Sequence, residues 1–142
     1  MKNIWGVILM LTGFTMSAQE LRFEEIQAKC TQIPDGKYII DNQKDYQALL
    51  DNRSPHPECS TYRSPEIDFN KYTLVGFAVS VKGCQSPVSS LSYSDDLDSC
   101  HVTLNITTYG LCKRRNRIKR WLLIPNATAE RLTHLNIEIT EE

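Results

Sequence analysis

An excess of charge of either sign is what this chain lacks most plainly: among 142 residues, 16 Lys and Arg face 17 Asp and Glu, a formal net charge of -1. No chain-wide field therefore exists to hold nucleic acid or an acidic membrane, and electrostatic recognition has to be local. Histidine is scarce. His56, His101 and His134 are the three side chains whose unperturbed titration falls near neutral pH, and none sits in a motif with a nucleophile. A Gly-x-Ser-x-Gly elbow, a Cys-x-x-Cys pair and a glycine-rich phosphate loop are all missing, which removes common hydrolase, thiol-redox and nucleotide-binding signatures. No apolar run reaches the roughly 20 residues that a membrane-spanning helix needs. What is present is ordinary globular composition, 41% hydrophobic and 23% charged, without collagen-like, coiled-coil or disordered bias.

Met1–Ala18 has the parts of a secretory leader in order: Lys2, an apolar stretch from Ile4 to Leu11 with Phe14 behind it, and Ser17-Ala18 before Gln19. No Cys follows the stretch, so a lipid anchor is not expected. Cleavage after Ala18 leaves 19–142 as a single exported β-rich domain, secreted or periplasmic, in an oxidising compartment where cysteines pair. No contact with a membrane interior and none with nucleic acid is expected of it.

The periodicity of 19–37 is undecided, and Pro34-Asp35-Gly36 then makes a turn. Tyr38-Ile39-Ile40 reads as a short strand. Asn42, with Asp45 three residues on, starts a helix that places Tyr46, Leu49 and Leu50 on one face, the spacing of a helix lying on a sheet. Asn52–Pro65 is a loop carrying Cys59. Tyr72–Val81 puts Val75, Phe77, Val79 and Val81 on one face and Leu74, Gly76 and Ala78 on the other, so it is a central strand covered on both sides. Val88–Tyr93 is a serine-rich strand, followed by an acidic turn at 94–99. His101–Thr108 alternates Val102, Leu104 and Ile106 inward with His101, Thr103, Asn105 and Thr107 outward. Ile118–Ile124 is an apolar strand ended by Pro125, Asn126 caps a helical turn, and Thr133–Ile139 is the last strand before a frayed acidic end. The expected class is mainly β: an antiparallel sheet, as a sandwich or partly open barrel, with one short helix packed on it and disulfide staples.

Five cysteines, at 30, 59, 84, 100 and 112, allow two internal bridges and leave one thiol. Cys100 and Cys112 flank one strand and are held roughly 25 Å apart, too far to bond. In an up-down meander Cys84 and Cys112 meet at one end, which predicts Cys84–Cys112. Cys59 then pairs with either Cys100 or Cys30. The spare thiol is buried, oxidised, or used for a covalent dimer of an otherwise monomeric chain.

The densest chemistry is Lys113-Arg114-Arg115-Asn116-Arg117-Ile118-Lys119-Arg120, between Tyr109 and Trp121. Read as a loop on a stapled platform, it offers Arg114, Arg115, Arg117 and Lys119, flanked by Tyr109 and Trp121, to an acidic protein or glycan. Read as a solvated loop, it guards a sheet edge against aggregation or pairs with Asp95, Asp96 and Asp98. No cofactor is implied. His101 and His134 lie on outward faces and approach one another if their strands are neighbours. With Cys100, or with His56 and Cys59, they would be the basis of the alternative, a small hydrolase or a metal-dependent enzyme, although their spacing matches no known ligand pattern.

Ile67-Asp68-Phe69-Asn70-Lys71-Tyr72-Thr73-Leu74-Val75-Gly76, after a strand, the Asp45-Tyr46 helix and a loop, resembles small secreted or lipid-anchored domains of Bacteroidetes. It is similar to the C-terminal domain of bacterial protease-complex accessory subunits (PrcB-like), over about Tyr38–Ile139. Where such domains have a glycine-rich turn, this chain has Lys82-Gly83-Cys84-Gln85. The resemblance implies a mostly β, non-enzymatic module that binds or stabilises another protein, with no catalytic residue to transfer.

Overall fold

The computed structural model describes residues 23–27 and 29–142, so the leader expected at 1–18 lies outside the described residues. Seven strands and two helices follow in the order β1 (Glu24–Ile26), β2 (Gly36–Ile40), α1 (Gln43–Asp51), β3 (Tyr72–Lys82), β4 (Val88–Asp95), β5 (Cys100–Thr108), β6 (Arg115–Pro125), α2 (Asn126–Ala129) and β7 (Leu132–Glu141). They form a four-stranded sheet, β1-β6-β3-β2, facing a three-stranded sheet, β4-β5-β7. This is a sandwich and not a closed barrel.

The alternating pattern of β3 explains its central place. Val75, Phe77 and Val81 point into the core between the sheets, where Val102, Leu104 and Ile106 of β5 meet them with Ile118, Leu122 and Ile124 of β6. Leu74 and Ala78 point the other way, into a second core with Tyr46 and Leu49 of α1, Ile40, Trp121 and Leu123. Asn42 caps α1 by accepting from the Asp45 backbone N–H at 2.9 Å, a contact worth about 1 kcal/mol. The first sheet is thus covered on both faces, and β3 is buried from Thr73 through Ala78.

Three expectations need correction. The neighbours are not all antiparallel: β5 and β7 run parallel, because the chain leaves the second sheet after β5, returns along β6 in the first, and re-enters through α2. No single-sheet meander exists, since β3 pairs with β6 and β2 while β4 pairs with β5. The acidic end is not frayed at Glu141, which pairs with Thr108, and the Glu142 backbone N–H donates to the Thr108 carbonyl at 2.9 Å.

Both bridges tie connections rather than strands. Cys84–Cys112 joins the β3–β4 crossing to the β5–β6 crossing, and Cys30–Cys59 joins the segment before β2 to the loop after α1. Cys59–Cys100 does not form: Cys59 lies on the helix side of the first sheet, whereas Cys100 starts β5 facing the core between the sheets, 0% exposed and free. Burial first, and the charge of Asp95 second, push its thiol above the ordinary range, against a smaller opposing effect of Arg131.

Trp121 and Gly76 are cross-strand partners, and a Cβ on Gly76 would lie 2.1 Å from the indole ring. We predict that Gly76→Ala costs about 1–3 kcal/mol in chemical denaturation through overpacking, while Gly36→Ala, whose Cβ meets Tyr38 at an ordinary 3.6 Å, changes stability by under about 0.5 kcal/mol. Titration with a thiol reagent should find Cys100 unreactive in the folded protein and one equivalent of thiol after denaturation without reductant. A fast-reacting native thiol would contradict the burial.

Candidate functional site

Most of the basic run is not a loop. β6 starts at Arg115, so Arg115–Arg120 lies on a strand whose successive side chains project to opposite faces. Arg115, Arg117 and Lys119 share the face of Trp121, while Asn116 and Arg120 share that of Ile118 and the inter-sheet core. The segment escapes detection by hydrophobic pattern because its cations are held by backbone carbonyls of distant loops. Lys119 Nζ donates to the Thr31 carbonyl at 2.5 Å and the Lys29 carbonyl at 3.1 Å. The Arg117 guanidinium donates to the Ile33 carbonyl and lies 3.5 Å from Asp35. Arg120 reaches between the sheets, donating to the Ser89 carbonyl at 2.7 Å and hydroxyl at 2.8 Å and pairing with Glu25.

These three residues open onto one cleft. A cavity of about 670 Å3 is lined by Glu25, Ile26, Gln27, Lys29, Arg117, Lys119 and Arg120. Lys29, Arg117 and Lys119 also line an adjoining cavity of about 450 Å3 that reaches Thr31, Ile33 and Ser54. The larger one therefore has four cations against one carboxylate. Burial, and secondarily the charge of Arg117, holds the Lys119 ammonium below its ordinary range, the effect of a cation desolvated beside another cation. Ligand sites commonly occupy about 300–1,000 Å3.

Comparison of the chain with known protein families, curated proteins and solved structures finds no match.

The remaining expected site residues are dispersed. Trp121 is 1% exposed and belongs to the helix-side core, so no ligand reaches it, contrary to its expected place beside the basic run. Tyr109 is half-buried at the base of the stapled loop, its carbonyl accepting from the Cys84 backbone N–H at 2.7 Å. Arg114 is exposed on that loop and Arg115 is exposed at the first position of β6. The loop tip is Leu111, 94% exposed, set beside Gly110 at φ 75°; a Cβ on Gly110 would lie 2.6 Å from the Cys84 sulfur. Asp95 is not a partner of the basic run. It is paired with Arg131 at 2.8 Å, which also bonds the carbonyls of Asp96 and Leu97.

Sequence reasoning missed Lys29, Glu25 and Leu111 and did not single out Arg120 among the basic run. No spacing connects Lys29 to β6; the Cys30 bridge and the Lys119 contact put it there. His101 and His134 do come together, as register partners on the solvent face of the second sheet with rings stacked 4.9 Å apart. Cys100 faces inward from the same strand, and among the described residues no cluster of three or more His, Cys, Asp or Glu assembles.

Lys119→Ala frees two loop carbonyls and should lower stability by about 1–2 kcal/mol. Native-state hydrogen exchange should then report faster opening confined to residues 29–34. Unchanged exchange there would show that the lysine does not anchor the loop.

Proposed function

We propose that this protein is an exported, non-enzymatic binding module that takes an acidic partner, protein or glycan, on a cationic surface running from the stapled loop along β6. One observation carries the reading: Lys29, Arg117, Lys119 and Arg120 converge on a single cleft whose lining contains one carboxylate, Glu25. In a chain of net charge -1, so local a concentration of positive charge focuses the field at one place. The arginine forks suit carboxylates, sulfates and phosphates. The surface is preorganised, since Cys84–Cys112 holds its loop end and the cleft cations are already fixed on carbonyls. Such fixing reduces the ordering entropy lost on association.

Export is supported by the leader-like Met1–Ala18 and by two disulfides, which persist in oxidising compartments. Among the described residues no helix is long and apolar enough to cross a membrane. The resemblance at Ile67–Gly76 implies a binding role of the same general kind.

The test uses two immobilised probes, polyglutamate and a sulfated oligosaccharide, over a range of salt. Retention of the wild-type protein at low ionic strength should weaken as salt rises. The triple variant Lys29→Glu, Arg114→Glu, Arg115→Glu, which reverses a cleft-lining charge together with two on the adjoining surface, should bind at least about tenfold more weakly, the equivalent of about 1.4 kcal/mol. Retention on neither probe, or retention indifferent to charge reversal, would refute the reading.

A further inference from the structure

β1 covers only part of β6. Its three residues pair with Leu123, Leu122 and Trp121, whereas β3 pairs with β6 along its whole length, from Tyr72↔Pro125 to Lys82↔Arg115. Over Arg115–Arg120 the outer edge of β6 has no partner strand among the described residues. In an antiparallel sheet, alternate residues direct their backbone N–H and C=O groups to alternate sides. About half of the backbone groups in this stretch, roughly 20 Å long, therefore face outward.

The cleft lies along that edge. Its lining includes Arg117 and Lys119 from one face of β6, Arg120 from the other, and Glu25, Ile26 and Gln27 at the end of β1. A space touching residues of both parities sits beside the strand and not above it. Among the described residues, none fills the slot as a strand. The chain enters β1 at the Leu123 end and leaves it at Trp121, and beyond Ile26 it is drawn toward the helix-side face, where Lys119 holds the carbonyls of Lys29 and Thr31 and Cys59 holds Cys30. A second copy is a poor occupant: pairing two β6 edges about a two-fold axis would set rows of Arg115, Arg117 and Lys119 against each other, and like charges across a ladder are destabilising.

We infer that the open edge of β6 is a docking slot for an extended acidic peptide, which adds to the first sheet as a strand beside Arg115–Arg120. This rests on the acidic-partner reading and narrows it to one class, a peptide recognised through its backbone as well as its charge. The mode is β-augmentation: main-chain hydrogen bonds hold the strand and alternate side chains select it. Carboxylates on one face of the peptide meet Arg115, Arg117 and Lys119. Those on the other face compete with Glu25 for Arg120.

The experiment measures fluorescence anisotropy of the full exported chain, disulfides intact, with a labelled eight-residue peptide alternating Glu and Val. Two further versions carry backbone N-methyl groups on the odd or on the even residues, a fourth has Lys in place of Glu, and a sulfated hexasaccharide serves as a non-peptide polyanion. The parent peptide should bind, the Lys peptide should not, and Arg115→Glu should weaken binding. N-methylation in one frame should reduce affinity at least about tenfold, while the other frame is tolerated, because only one set of N–H groups faces the slot. Equal behaviour of the two frames would overturn strand addition, even where charge-dependent binding survives and leaves the acidic-partner reading standing. Binding of the hexasaccharide with none of the peptides would assign the cleft to glycans and overturn this proposal alone. Binding of no polyanion would overturn both.

Discussion

The eleven-pair ladder between β3 and β6 is the contact on which everything else in this molecule is mounted. Its two faces carry the two cores. One closes against the three-stranded sheet through Phe77, Val75 and Leu122, the other against α1 through Leu74, Ala78 and Trp121. The absence of a side chain at Gly76 lets the indole lie against the backbone of the facing strand, so helix, loop and both sheets are referenced to one wall. The cations of β6 inherit that rigidity: they stand on the same strand as Trp121, and their positions are set by the ladder and not by a mobile loop.

Much of this arrangement was legible in the residues alone where a pattern had one physical cause. The double apolar alternation of β3 means burial on both faces, and the structure shows both. Alternation in β5, with Val102, Leu104 and Ile106 inward, and the Asn42 cap are equally local. The Cys84–Cys112 contact also follows from strand ends, even though the path between them is not a meander. Local pattern is silent where the determinant is distant. Arg115–Arg120 resembles a loop because water is the usual partner of a charged run, but its partners are carbonyls at Lys29, Thr31, Ile33 and Ser89, about 30 to 90 residues away in sequence. The parallel placement of β7 and the freedom of Cys100 are likewise consequences of which sheet each strand joins, and that information is spread over the whole chain.

The cations of β6 tie together segments that are distant in sequence. Arg117 and Lys119 anchor the segment before β2 on the helix side, and Arg120 connects β1 to β4 across the sandwich mouth. Each has donors beyond those already engaged, since a guanidinium offers five and an ammonium three. Anchoring by a subset of donors leaves others unengaged on residues that line the cleft. The cationic edge also discourages indiscriminate strand pairing.

Because Lys119 and Arg117 hold main-chain oxygens, the tie between β6 and the segment at 29–33 does not depend on which side chains that segment carries at the bonded positions. Every amino acid supplies the same acceptor. The two sides of the cleft are thus unequal in evolutionary latitude: side chains at Lys29 or Gln32 can change the lining while the architecture stays intact, whereas β6 has to keep its donors. A cleft built in this way can vary its shape and charge on one wall without renegotiating the fold on the other.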